Sequence, residues 1–203
     1  MELNKNAGLT TTYLNVADGH LVQRHKEKTS QTTERINKIG NTVLEEMFKI
    51  IKGIIIDVNV FDSAYGKNLV IRFKNAFLAK DKVNKTEKYN YVSMEGYVSI
   101  SMSYKSRYSS SFLKRLPNTD RFGEVELMPW EMIDKVDPKK KITGITLYQG
   151  CIKIPSAFSK ENPNGIPPMV KHVIGDKTIW DDTAMMDFLM AKASEWIKEE
   201  VPF

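Results

Sequence analysis

Hydrophobic and polar positions alternate along much of this chain, in short runs separated by polar tracts. A period of two predicts β-strands with one buried face. Residues 1–12 are polar. Residues 14–25 predict a strand broken or bulged at Asp18-Gly19, and residues 26–42 predict an exposed loop. Strands follow at 43–51 and 53–61, the second carrying Ile54, Ile56, Val58 and Val60 on one face. After a turn at 62–66, residues 68–74 point Leu69, Ile71 and Phe73 inward and Val70, Arg72 and Lys74 outward. A second polar, lysine-rich loop covers 79–95. The cleanest alternation comes next: Val98, Ile100, Met102 and Tyr104 lie on one face, with Tyr97, Ser99, Ser101 and Ser103 on the other.

The period changes twice. Residues 107–116 predict a short helix that stops at Pro117-Asn118, because proline cannot continue it. Residues 182–199 predict a longer one, capped by Asp181 or Asp182, with an apolar stripe of Met185, Phe188, Leu189, Ala193, Trp196 and Ile197. Between them lie candidate strands at 124–129, 142–149 and 151–155 and a Pro/Gly/Asn loop at 159–168. A small hairpin is predicted around Gly175-Asp176. Short strands, one small inserted helix and long polar loops predict a mainly β fold with α additions. The architecture that fits best is a single OB-fold-like β-barrel (the oligonucleotide/oligosaccharide-binding type) over residues 1–180. A C-terminal helix and tip follow at 181–203. A β-sandwich alternates in the same way and is the competing expectation.

Composition narrows the class. The 203 residues are 41% hydrophobic and 27% charged, enough apolar material for a packed core and against a disordered chain. No apolar run approaches the ~20 residues of a membrane span, and no signal-like apolar segment opens the chain. Cys151 is the only cysteine, which excludes a disulfide framework and a cysteine-rich zinc site. A reducing, cytoplasmic compartment is the expectation. The net charge of +5 is unevenly spread: residues 181–203 carry −4, leaving +9 on residues 1–180. A basic body with an acidic tail suits a protein that holds a polyanion, although an unevenly charged surface with no such role has the same arithmetic.

The cations are interleaved with aromatic rings, the combination that binds single strands by tracking phosphates and stacking bases. Candidate nucleic-acid contacts are Lys67, Arg72 and Lys74 near one hairpin, Tyr97 on the alternating strand, and Lys105, Arg107 and Tyr108 at its junction with the helix. Trp130 joins them at a strand end after Pro129. The series Tyr97, Ser99, Ser101, Ser103, Lys105 reads as a groove floor. For any one of these aromatics, core packing is the plainer role. Catalytic signals are poor. Phosphate-cradling GxxxxGK[ST], dinucleotide GxGxxG and nucleophile GxSxG motifs are all missing. His20 and His25 are too awkwardly spaced to chelate, and His172 stands alone. Asp57, Asp62 and Glu95 lack the Glu-x-Lys element of a nuclease. No enzymatic activity, cofactor or metal is expected.

Several stretches together carry a family resemblance. They are Tyr65-Gly66-Lys67-Asn68-Leu69-Val70-Ile71-Arg72, the run from Tyr108 through Leu116-Pro117-Asn118, Met128-Pro129-Trp130, and Lys139–Lys141 leading to Leu147-Tyr148-Gln149. Over roughly residues 14–165 the chain resembles the barrel-type single-stranded-DNA-binding proteins of tailed bacteriophages, including those of crAss-like phages. The resemblance implies a non-enzymatic factor that coats exposed strands during replication, recombination or repair. The ending Glu199, Glu200, Val201, Pro202 and Phe203 is similar to the acidic-aromatic tips of bacterial and phage members. It implies docking to a polymerase, helicase or primase, the ring in an apolar pocket and the carboxylates on basic groups. Bacterial members reach their tip through a long linker, whereas here it follows a helix directly. Occlusion of a groove by the tip would then use a second subunit, which makes a homodimer the natural expectation. A virion or assembly β-barrel protein and an RNA-binding regulator remain as alternatives.

Overall fold

The computed structural model describes residues 10–36, 40–82, 88–175 and 177–198. Its two longest strands, β5 (Ile50–Ser63) and β6 (Gly66–Ala79), form one antiparallel hairpin. On β6 the alternation is as predicted: Leu69, Ile71 and Phe73 are fully buried, and Lys74 is exposed on the opposite face. β5 departs from it because the register slips twice. At the first slip Asn75 (φ 51°) and Ala76 oppose Gly53. A Cβ on Gly53 would sit 3.0 Å from the Lys74 carbonyl oxygen, so glycine is what permits this close approach. The second slip inserts Ile56. It moves burial from Ile55 to Val58, three residues on, and splits the expected face, leaving Ile54 and Ile56 half-buried.

The rest of the sheet builds outward from this hairpin. β8 (Tyr97–Ser103) pairs with β6, and β1 (Thr11–Ala17) adds to β8 in parallel. β2 (His20–His25), β4 (Thr42–Phe48) and β3 (Thr33–Ile36) complete that side. On the other side β5 pairs with β9 (Val125–Ile133), which pairs with β10 (Lys141–Gln149) and then β11 (Ile152–Lys153). β7 (Val92–Ser93) joins β6 from within the lysine-rich loop, just as β3 lies within the first polar loop. The predicted break at Asp18-Gly19 is a hairpin turn, both residues having positive φ (47° and 74°). The predicted strand 43–51 divides at Lys49 between β4 and β5.

The fold is mainly β with α additions, but the ladder is open: β11 and β3 end it without pairing to each other. The expected barrel therefore does not close through hydrogen-bonded strands. Helix α1 (Arg107–Leu113) lies between β8 and β9 in sequence and occupies the free edge of β10. The Ser111 hydroxyl accepts from the Ile145 N–H (3.1 Å) and donates to the Ile145 carbonyl (3.0 Å), the two groups a closing strand would have used. Arg115 Nη1 donates to the same hydroxyl at 2.8 Å and fills its remaining acceptor site. At the far end of the seam the β1–β2 turn abuts β9, where a Cβ on Gly19 would lie 2.7 Å from the Glu131 nitrogen.

Helix α2 (Thr183–Lys198) begins where the Asp181 carboxylate accepts the Thr183 N–H at 3.0 Å. Its Met185, Met186, Leu189, Ala193 and Trp196 enter the same core as the sheet, with Phe188 and Ile197 packed beside them. Trp196 Nε1 donates to the Thr119 carbonyl (3.1 Å), and the Arg121 guanidinium lies 4.8 Å from its ring centroid. A sandwich would need a second facing sheet. The one present is the two-stranded hairpin β12 (Val170–Ile174) and β13 (Lys177–Asp181), which leaves Val173, Ile174, Ile179 and Trp180 exposed.

Candidate nucleic-acid interface

The face of β1, β8, β6 and β5 turned away from the core presents rows of paired residues. One row runs Thr11–Tyr97–Lys74, the next Tyr13–Ser99–Arg72–Asp57, and the third Asn15–Ser101–Val70–Asn59. At about 4.8 Å between strands, four paired residues span roughly 14 Å. Tyr13 is 70% exposed and Lys74 is exposed, while Tyr97 and Arg72 are half-buried. Two rings and two cations thus share one polar surface with small hydroxyl and amide groups between them.

The charge on this face is only partly offset: two cations stand against one carboxylate, and neither cation pairs with it directly. Asp57 lies directly across from Arg72, yet its carboxylate is taken by Asn59 Nδ2 at 2.7 and 2.8 Å. Neither Arg72 nor Lys74 forms an ion pair among the described residues. At the centre of the patch, Arg72 Nε and the Ser99 hydroxyl are buried cross-strand neighbours, and neither has a hydrogen-bond partner among the described residues. Buried polar atoms are nearly always satisfied, so two unsatisfied ones side by side mark an unusual position. An anionic, hydrogen-bonding ligand with stackable rings has complementary chemistry.

Of the residues predicted from sequence, the fold brings Arg72, Lys74 and Tyr97 together and sends the others elsewhere. Lys67 is exposed at the β5–β6 tip, beside a hollow of about 240 Å³ that it shares with Tyr65, Ser103 and Lys105. Lys105 turns to the start of α2, with Nζ 2.7 Å from Thr183 Oγ1 and 3.9 and 3.8 Å from the Asp181 and Asp182 carboxylates. Its charge is largely compensated there. Arg107 is exposed as the first residue of α1. Tyr108 is a core residue: its ring is buried, its hydroxyl accepts the Gly19 N–H at 2.9 Å, and burial pushes its phenol pKa upward. Tyr104, the inward end of the same series, is likewise pushed up to about 12 by burial and the adjacent Asp187. Trp130 is mid-strand and half-buried, and its ring covers Gly144, the residue paired with it across β9–β10. Glu199, Glu200, Val201, Pro202 and Phe203 lie outside the described residues.

Tyr13 is the member that sequence reading missed. Its own alternation with Leu14 and Asn15 was visible, but its position beside Ser99 depends on the parallel pairing of residues 11–15 with 97–101.

A second basic region is different in kind. A cavity of about 760 Å³ between the β1–β2 turn and β9–β10 is lined by Arg24, Arg35 and Lys141. Here the cations are matched: Arg35 Nε meets Glu45 at 2.7 Å, Arg24 meets the same carboxylate at 3.4 Å, and Lys141 meets Glu131 at 2.6 Å. Among the described residues no group of three or more His, Cys, Asp or Glu side chains is arranged to hold a metal, and Asp57, Asp62 and Glu95 form none. His20 is tied to Asp81 at 2.7 Å. No helix of the described residues is long and apolar enough to cross a membrane. No protein-family model, no curated protein and no solved structure matches this chain.

Proposed function

We propose that this chain binds single-stranded DNA across the outer face of β1, β8 and β6, coating exposed strands during phage DNA replication, recombination or repair. The carrying observation is the pair of adjacent ladder rows Tyr97–Lys74 and Tyr13–Ser99–Arg72–Asp57, in which two rings lie beside two cations that form no ion pair among the described residues. Phosphates track the cations, and bases stack on the rings without regard to sequence. The working site is the cytoplasm, that of the host cell for a phage-encoded protein. The ending Glu199–Phe203 docks a polymerase, helicase or primase, and loss of that binding on Phe203→Ala checks it. A homodimer fits if that ending reaches a neighbouring groove. Fluorescence titration with oligo-dT at two salt concentrations tests the main reading. Affinity should fall steeply with salt through counterion release, and duplex should compete poorly. Equal binding to duplex, or no salt dependence, overturns it. Competition between matched RNA and DNA strands separates an RNA regulator, since a reader of the 2′-hydroxyl prefers RNA.

A second reading has its own observation. The β12–β13 hairpin exposes Val173, Ile174, Ile179 and Trp180, and an isolated two-stranded hairpin is marginal in water. In a virion or assembly protein this hairpin packs on neighbouring subunits. Sedimentation without nucleic acid would then show a concentration-dependent oligomer that Trp180→Ala weakens.

A further inference from the structure

A cavity of about 490 Å³ lies at the end of β6 beyond the outer-face patch. Its size falls in the range of small-molecule sites, roughly 300–1,000 Å³. Phe48 and Leu78, both buried members of the core, form an apolar floor, and Met94 packs beside them. Tyr89 stands at the wall with Lys82 Nζ 4.3 Å from its ring centroid. Lys80 and Lys88 add two more cations to the lining, and Asp81 adds a second carboxylate, held by His20 at 2.7 Å and by Lys49 at 4.0 Å.

The distinctive group is Glu46. A carboxylate only 8% exposed lines an otherwise apolar floor, where a charge is costly unless it serves pairing or binding. One of its oxygens, Oε1, meets Lys80 at 2.7 Å. The other, Oε2, lies 3.4 Å from His25 Nε2, a buried nitrogen without a hydrogen bond. Gln23 and Asn90 supply neutral amides on the same lining. An apolar floor, an aromatic wall, a buried acceptor and a rim with three lysines against Asp81 together match one chemical class: a nucleobase carrying a sugar phosphate. The ring packs on Phe48, Leu78 and Tyr89, the carboxylate accepts from base N–H groups, and Lys82 and Lys88, which form no ion pair among the described residues, hold the phosphate while Lys80 stays on Glu46.

We infer that this cavity is a nucleotide pocket that takes a single base out of a bound strand, with guanine the preferred base. Guanine presents two adjacent N–H donors to a carboxylate, whereas thymine presents one. The inference rests on the reading of this chain as a single-strand binder. Lys74 and Lys80 are roughly 20 Å apart along β6, and because Lys74 faces outward while Phe48 and Leu78 belong to the core, the strand reaches the pocket around the end of β6. Coating by the outer face is then sequence-tolerant, while the pocket adds selectivity at one position.

Calorimetric titration of the full chain with dGMP, dCMP, dAMP and dTMP tests it, beside an oligo-dT and the same oligomer with one central guanine. The expected result is dGMP binding on the order of tenfold tighter than dTMP, and tighter binding of the guanine-containing oligomer. Glu46→Gln should abolish that preference. Because Glu46 also pairs with Lys80, Tyr89→Ala serves as the second variant: it should weaken all four nucleotides while leaving that ion pair intact. Equal or undetectable binding of all four nucleotides overturns the pocket, as does a guanine preference that survives Glu46→Gln. If oligo-dT binds but no mononucleotide does, the pocket fails and the coating role stands. If dGMP binds and oligo-dT does not, the coating role fails and the cavity is a nucleotide site in its own right.

Discussion

Two parts of one sheet treat their charges in opposite ways. In β2, β3 and β4 the cations are consumed internally: Arg24 and Arg35 converge on Glu45, which is 1% exposed, and Lys80 holds Glu46. On the outer face of β6 and β8, Arg72 and Lys74 form no ion pair among the described residues, although Asp57 lies across the ladder. The total of +5 is therefore a poor guide to where a polyanion could sit. Arginines that satisfy a buried carboxylate are part of the fold, and their charge is already neutralised. Cations that form no direct ion pair keep their hydrogen-bond donors, and the excess of two over the one facing carboxylate, for a ligand.

Removing the buried partner sharpens this contrast most. Glu45→Ala should cost about 2–3 kcal/mol, since two partly exposed arginines lose their shared acceptor, with a matching fall in the urea midpoint. The same site sets an acid limit. Burial is the largest influence on the Glu45 carboxyl and raises its pKa, but the hydrogen bonds and charges of Arg35 and then Arg24 outweigh it. The net position is below the ordinary value. A depressed folded pKa gives stability that is present above the unfolded pKa, near 4.3. That stability is lost as pH falls through the folded value. Urea midpoints should drop between pH 5 and pH 3, and Glu45→Gln should flatten that part of the profile. An unchanged acid profile in Glu45→Gln would break the comparison at its folded end.

The ligand end is probed by the rings. Tyr13→Ala and Tyr97→Ala should each weaken oligo-dT binding by about 1–3 kcal/mol with the salt slope unchanged, because stacking is not ionic. Folding stability should move little for Tyr13, which is 70% exposed. A ring whose removal changes stability but leaves binding alone belongs to the scaffold.

The cations on the same face have a separate signature. Arg72→Ala and Lys74→Ala should weaken all sequences alike and lower the salt slope by about one each, measured as log affinity against log salt. Arg24→Ala is the control from the other region. Its charge is committed to Glu45, so its slope should remain that of the parent chain.

How much of this was legible beforehand depends on range. Local alternation reveals the strand from Leu69 to Phe73, the Tyr97–Ser103 face and the stripe of α2, because each is written in consecutive residues. The insertion of Ile56 was not legible, since an extra apolar residue in an apolar strand leaves the composition unchanged. Nor was the joining of Tyr13 to Arg72 through Ser99, which needs a parallel pairing between distant segments. Barrel closure failed for a similar reason. A single hydroxyl on α1, Ser111, meets the β10 edge, and nothing in the period of β10 announces it. Tyr108 reads as a stacking ring because it stands beside Lys105 and Arg107, but its hydroxyl accepts from the Gly19 amide of the β1–β2 turn.

The smallest expected effect concerns Lys105, which by sequence position continues the Tyr97–Ser103 series. Its ammonium instead lies among Thr183 Oγ1, Asp181 and Asp182 at the start of α2, with just over half of the side chain exposed. An exposed ion pair of this kind is worth about 0–1 kcal/mol. Lys105→Ala should accordingly lower the melting midpoint slightly and leave both oligo-dT affinity and the salt slope as they are. Lys105→Glu goes further, putting a third carboxylate beside two others, and should loosen the first turn of α2 in amide exchange. If either substitution instead lowers the salt slope by a full unit, Lys105 leaves the helix for the phosphate backbone when DNA binds. The boundary between compensated and uncompensated cations would then shift on ligand binding.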